Sequence, residues 1–286
     1  MPRGRNPVAA QRKLRSELRR RRSVSKLTQK EVADALSWSM SKVIRMETGV
    51  VGVSITDLWA LLNLYGVTDP VTVKEIEDLA RMARERAWWD DYHEYASAEL
   101  IEFIATEASA VKMAQYQSFI VPGILQTPEY IRSLGVAFDW SDEDIEQGIK
   151  MRTSRQELLT DPDGPKASFI LDEASISRSI GSPHVMREQF DHLKHLNRLP
   201  NVDIQVAAFA NGVTHGMQVP FTIFTFDDDR EAPLVYLDQS SGPTLARGNA
   251  VSRHLRIFDN LLQPEHSSRP EQLDEELDRV GGNIGI

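Results

Sequence analysis

Between Leu27 and Gly49 the chain reads Leu-Thr-Gln-Lys-Glu-Val-Ala-Asp-Ala-Leu-Ser-Trp-Ser-Met-Ser-Lys-Val-Ile-Arg-Met-Glu-Thr-Gly, a run that admits few conformations. Thr28 with Glu31 three residues on is a capping-box pattern, and it opens a helix whose apolar face is Val32, Ala33 and Leu36. Ser39 opens a second helix, which stops at Gly49. Only a tight turn around Ser37-Trp38 separates the two, and the small side chain of Ala33 lets them cross closely. Val32, Leu36, Trp38, Val43 and Met46 are the expected shared core. This crossing pushes the second helix outward, so that its N-terminal residues can enter a major groove, which is wide enough for one helix. A generic pair of amphipathic helices needs neither the small crossing residue nor two caps nor a basic flank. Here all three occur together.

The basic flank emerges only when charge is counted by region. The net charge of the chain is −9, which taken alone argues against a nucleic-acid partner. Residues 1–45, however, carry thirteen Lys/Arg against three acids (Glu17, Glu31, Asp34), and the remaining 241 residues have a net charge of −19. A compact basic module can dock on phosphate while an acidic bulk limits non-specific adhesion. Arg19-Arg20-Arg21-Arg22 alone reads equally well as a solvated helix face.

A first helix is expected over about 10–23 around Leu14 and Leu18, preceded by a loose basic arm at residues 1–9. Ser54 with Asp57 caps another helix, which carries Leu58, Leu61, Leu62 and Tyr65 and ends at Gly66. Thr72 with Glu75 caps the next, running to about Ala87. Asp69-Pro70 marks the expected domain joint. The expected division is thus a DNA-binding domain at 1–70, a regulatory and dimerisation domain at 75–262, and a polar, disordered tail at 264–286.

In the second domain helices are expected over Glu99–Gln115, after Thr127-Pro128, and over Ser141–Leu159, Ser182–Leu199 and Leu245–Leu262. Phe119-Ile120-Val121 reads as an extended piece. Strands are expected at Ala167–Asp172, Asp203–Phe209, Phe221–Phe226 and Leu234–Asp238. The fold class is therefore a mainly α helix-turn-helix domain followed by an α+β domain with a small mixed or antiparallel sheet. There is no cysteine, which excludes structural disulfides and thiolate metal sites and points to a reducing cytoplasm. No apolar run approaches a bilayer span, and no secretory leader pattern is present.

The pattern L-T-Q-x-E-x-A-x-x-L followed by S-x-S-K-V-x-R-x-E-x-G resembles the Xre, phage-repressor-like helix-turn-helix family over residues about 14–65. The resemblance implies roles for individual positions. Thr28 and Gln29 stand at the start of the first motif helix, where Gln29 touches a phosphate and braces the recognition helix. Met40, Ser41 and Arg45 face base edges, and Ser39 and Lys42 flank them near the DNA backbone. Arg22 and Glu47 form a structural ion pair. Arg3, Arg5 and Arg19 are the expected phosphate and arm contacts. Met40 departs from the pattern, where a polar residue is common, and so does Ile44; Met40 can pack on a thymine methyl but cannot pair with adenine. Base readout then rests on Arg45 and on groove shape.

A second set of words, Trp88-Trp89, Val121-Pro-Gly-Ile-Leu-Gln-Thr-Pro-Glu-Tyr130, Arg152-Thr-Ser-Arg155 and Leu199-Pro-Asn-Val202, is similar to the large domain of the WhiJ-like group of actinomycete Xre regulators. That resemblance implies a role in development or secondary metabolism, often beside a small acidic BldB-like partner protein, and some members are antitoxin-like. From the residues alone, Val121-Pro-Gly-Ile-Leu is a buried strand-to-helix turn. Trp88 and Trp89 either pack the joint or line a ligand or partner groove, where aromatic anchors concentrate binding energy.

Enzyme chemistry finds no anchor. His192 and His195, with Asp191 and His184 nearby, lack a convergent third metal ligand and read as a helix face. Asp172-Glu173 reads as an ordinary helix cap. No catalytic residue, cofactor or metal is expected. The expected function is a homodimeric transcriptional regulator, most simply a repressor, on a pseudo-palindromic operator; the alternative is an antitoxin-like module that binds a small partner and uses DNA for autoregulation.

Overall fold

In the computed structural model, described for residues 7–162, 164–213, 216, 219–227, 231–239 and 242–286, the chain forms two compact units that divide between Asp90 and Asp91. The first holds helices α1 (Pro7–Val24), α2 (Gln29–Leu36), α3 (Met40–Thr48), α4 (Ile55–Leu64) and α5 (Pro70–Met82). Thr28, Ser39, Ser54 and Asp69 each accept a hydrogen bond from the backbone N–H three residues on, which satisfies a donor that the first turn of a helix leaves open. One continuous core joins Leu14 and Leu18 of α1 to Val32, Val43, Met46, Leu58, Leu61, Leu62, Ile76 and Ala80. Leu36 and Trp38, expected inside it, pack on its edge.

Two expectations here are corrected. α1 starts at Pro7 rather than near residue 10, because proline is preorganised for the first helical position and its missing N–H is not needed there. Asp69-Pro70 is a helix start, not a linker: the Asp69 carboxylate caps α5, Pro70 is its first residue, and α5 packs along α1. The α5 helix, expected to be capped by Thr72, thus belongs to the first unit, which extends to about residue 90.

The second unit is α+β. It runs through α6 (Ala98–Ser109), β1 (Lys112–Gln117), α7 (Pro128–Ala137), α8 (Asp142–Thr160), β2 (Lys166–Asp172), α9 (Glu173–Ser177), α10 (Pro183–Leu196), β3 (Val202–Ala207), β4 (Phe221–Thr225), β5 (Leu234–Gln239), β6 (Gly242–Ala246), α11 (Asn249–Leu261) and α12 (Leu273–Ile284). The six strands form one mixed sheet in the order β3-β2-β1-β4-β5-β6. β1, β2 and β3 are parallel, joined by helical crossovers of the length that parallel pairing demands. The β1–β4, β4–β5 and β5–β6 pairs are antiparallel. Alternation along each strand divides the core in two. Tyr116, Ile170, Phe221, Ile223 and Val235 pack with Phe258 and Leu261 of α11. On the opposite face Phe224 and Tyr236 each meet Phe103 of α6 edge-on, at 5.2 Å.

Three further expectations give way. The helix expected to run to Gln115 stops at Ser109, and Lys112–Gln117 is a central strand, β1, rather than the end of a helix followed by an extended piece at 119–121. Its Lys-Met-Ala-Gln composition favours helix locally, but partners on both sides pair its whole backbone. β6 was not anticipated, and it takes the residues expected to begin α11. The tail is not disordered. α12 buries Leu273, Leu277 and Val280 completely, against α9, α10 and β3. Among the described residues no helix is long and apolar enough to cross a membrane.

Candidate nucleic-acid interface

The turn between α2 and α3 is built from local chemistry. Ser37 takes the left-handed conformation (φ 54°), and the Trp38 N–H donates to the Ala33 carbonyl at 2.9 Å, closing α2. Gly49 ends α3 at φ 81°, and a Cβ there would lie 1.7 Å from Arg15 Nη1. Only glycine therefore lets Arg15 reach the Thr48 carbonyl, to which it donates at 2.9 Å.

Glu47 is the node of the motif. It is 6% exposed, near the C-terminal end of α3. Arg22 holds both its oxygens, Nε at 2.6 Å and Nη2 at 3.0 Å, and Gln29 Nε2 donates to Oε2 at 2.7 Å. Three helices are tied through one carboxylate. This arrangement raises the Arg22 pKa, chiefly through the hydrogen bond to Glu47. Glu47→Gln should loosen the motif by about 2–3 kcal/mol, because it removes charge-assisted hydrogen bonds while Arg22 retains some access to water. The check is amide hydrogen exchange in the full chain: faster exchange is expected across residues 27–49, and unchanged protection with weakened DNA binding would assign Glu47 to the ligand instead.

The residues expected at DNA divide into free and committed groups. Met40 is 49% exposed, and Ser41 and Arg45 are also exposed on α3. Among the described residues Arg45 has no carboxylate partner. Thr28 and Ser39 are exposed caps; the Thr28 backbone N–H and its hydroxyl each donate to the Glu31 carboxylate at 2.8 Å, and these bonds, the backbone one first, lower the Glu31 pKa. Lys42 is committed: its ammonium donates to Asp57 of α4 at 2.6 Å and lies 3.9 Å from the Trp38 ring centroid. Arg19, expected at phosphate, is directed at the Glu47 carbonyl at 3.3 Å. Arg20 and Arg21 both pair with Glu17 of their own helix. Arg19–Arg22 is thus largely a structural brace rather than a row of free cations. Arg3 and Arg5 lie outside the described residues. The Lys42–Asp57 and Arg15–Thr48 contacts went unread because each joins residues with no local pattern between them.

Trp88 and Trp89 pack edge-on at 5.5 Å, and Trp89 is only 3% exposed. A ring so covered cannot line an open groove, which corrects that reading for Trp89. His192 is partly buried, and its pKa is lowered by burial first and by His195 second. Among the described residues no three His, Asp or Glu side chains converge in a way that would hold a metal ion.

A family profile described as a helix-turn-helix domain matches residues 13–76, from within α1 to within α5 of the first unit. A second, described as a domain of unknown function (DUF5753), matches residues 100–268, more than half of the chain. The chain belongs to the DUF5753 family. The DUF5753 match covers all six strands of the mixed-sheet unit, and the helix-turn-helix domain before it supports a DNA-binding regulator. No curated protein and no solved structure matches the chain.

Proposed function

We propose that this DUF5753 protein is a sequence-specific transcriptional repressor that acts in the cytoplasm and binds a pseudo-palindromic operator as a homodimer. The observation that carries the reading is Arg45: it is exposed on α3 beside Met40 and Ser41, while most neighbouring cations are tied to carboxylates or carbonyls. A free guanidinium on a rigid helix is suited to bidentate contact with guanine, the commonest specific contact in the major groove. Met40 supplies apolar contact to a thymine methyl, and Thr28, Gln29 and Ser39 sit where helix starts approach phosphate. Lys42 acts through Trp38 and Asp57, positioning the helix rather than touching DNA. The DUF5753 domain is assigned regulation and dimerisation, since one helix-turn-helix reads only one half-site.

The test is binding-site selection with the full chain and its Arg45→Ala variant, combined with sedimentation. The variant is expected to lose about 1–3 kcal/mol on the best site and to relax preference at one base position per half-site. The full chain should sediment as a dimer. An identical sequence logo and affinity for the variant would refute the assignment of Arg45.

A second reading, drawn from the WhiJ-like resemblance, assigns the DUF5753 domain a small BldB-like protein partner, with DNA binding for autoregulation. The observation favouring it is the exposed pair Phe138 (57%) and Trp140 (37%), with ring centroids 6.1 Å apart on the α7–α8 turn.

A further inference from the structure

α11 seats only part of its length on the sheet. Ile257, Phe258 and Leu261 in its C-terminal half are buried in the core, whereas Ala250, Val251 and His254 in its first half are only half-buried. Between that first half and strands β4 and β5 lies a cavity of about 410 Å³. Close-packed interiors hold few voids larger than a water molecule, whereas sites for small molecules run from roughly 300 to 1,000 Å³. Phe221 and Ile257 form the buried floor, and Val219, Leu237 and Ala250 add apolar wall around it. One end is closed by backbone pressed on the core: Gly216 is buried, and a Cβ on it would stand 2.8 Å from Leu261 Cδ1. Asn249 and Arg253 also line the cavity and are exposed, so it opens to solvent.

One polar side chain within these walls has a fixed orientation. His254 Nδ1 lies 2.7 Å from the Ala250 carbonyl, one turn back on α11. A carbonyl oxygen can only accept, so Nδ1 carries the proton, and in the neutral ring Nε2 is left with its lone pair. The imidazole meets Phe221 edge-on with ring centroids 4.9 Å apart, which holds its plane over the floor. Among the described residues nothing donates to Nε2. The apolar walls thus surround one oriented hydrogen-bond acceptor, and the permanently charged Arg253 stays at the exposed mouth.

We propose that this cavity binds a small, uncharged and mostly apolar molecule whose hydroxyl or N–H donates to His254 Nε2. The apolar part covers Phe221, Leu237 and Ile257 and removes their surface from water, while the histidine sets the orientation. An ionic molecule would have to leave its charge unpaired against that floor. The competing explanation is a packing gap that solvent fills and that recognises no ligand.

Fluorine NMR of the full chain with 4-fluorophenol and 4-fluorotoluene separates the two explanations, since the probes differ in little but the hydroxyl. Both are expected to bind wild type saturably. The ratio of phenol to toluene affinity should be roughly fivefold higher in wild type than in His254→Phe, which keeps a ring and removes the acceptor; that factor is the value of one net hydrogen bond. Ala250→Trp fills the cavity and should abolish binding of both probes. If neither probe binds wild type saturably, or Ala250→Trp still binds them, the proposal is overturned. An affinity ratio that His254→Phe leaves unchanged overturns it as well, because the ligand is then not recognised through Nε2. Should Ala250→Trp fail to fold, nuclear Overhauser contacts between bound 4-fluorophenol and the methyl groups of Leu237 and Ile257 in wild type decide the location, and their absence overturns the site.

Discussion

A chain ending at Gln263 is expected to lose the folded DUF5753 domain. The deletion removes α12, whose Leu273, Leu277 and Val280 are fully buried, and the Arg279–Glu173 ion pair at 2.8 Å. It also uncovers β3. Ser268 donates its N–H to the Val206 carbonyl at 2.9 Å and accepts from the Val206 N–H through its hydroxyl at 3.0 Å, while Gln205 donates to the Ser268 carbonyl at 2.7 Å. β3 is an edge strand, and these bonds cover groups that would otherwise invite pairing with another chain. Three buried aliphatic side chains contribute about 5–9 kcal/mol by area, comparable to the whole stability of a domain. Near-ultraviolet circular dichroism and size-exclusion chromatography of the shortened chain should show lost tertiary signal and aggregation. A soluble product that melts where the full chain does would mean that α12 contributes nothing to the core.

Glu107→Gln is expected to cost about 3–5 kcal/mol, the range for breaking a buried pair from one side. Glu107 is 1% exposed and Arg155 8%, so neither charge reaches water when the other is neutralised. The loss also leaves two guanidiniums, those of Arg152 and Arg155, without a described counterion beneath the Gly123 turn. The double change Glu107→Leu with Arg155→Met should recover most of the loss, because apolar replacement of a whole buried pair is often neutral. Urea unfolding of Glu107→Leu, of Arg155→Met and of the two combined closes the cycle, and a strong positive coupling is expected. A Glu107→Gln midpoint equal to that of wild type would show that the pair is solvated after all.

The helix-turn-helix motif was legible because its signals are local. Thr28, Ser39 and Gly49 act within a few residues of themselves, and the capping bonds they predict are the bonds they make. The Val32–Met46 stripe needs only the helical repeat to be placed inside. The tail carried a comparable signal: Leu273, Leu277 and Val280 recur at helical spacing, but a polar composition masked it. Arg45 and Ser41 were put at base edges by the family resemblance, and both are exposed on α3, on the side away from the buried Val43 and Met46.

Local pattern is silent where energy comes from residues far apart in the chain. Lys112–Gln117 has a helix-forming composition and becomes the centre of the sheet because β2 and β4 satisfy its backbone from both sides. Lys42 and Arg19 read as cations available to phosphate until Asp57 and the Glu47 carbonyl, brought near by packing, engage them. Arg152 and Arg155 look alike in sequence, and only the fold, by delivering Glu107 to one of them, makes their electrostatics different. The α2–α3 motif was therefore determined by neighbours in sequence, through caps and the helical repeat. The strand order, the free or engaged state of each cation, and the pairing of Glu107 with Arg155 rather than Arg152 were decided by burial and pairing between segments that only the folded chain brings together.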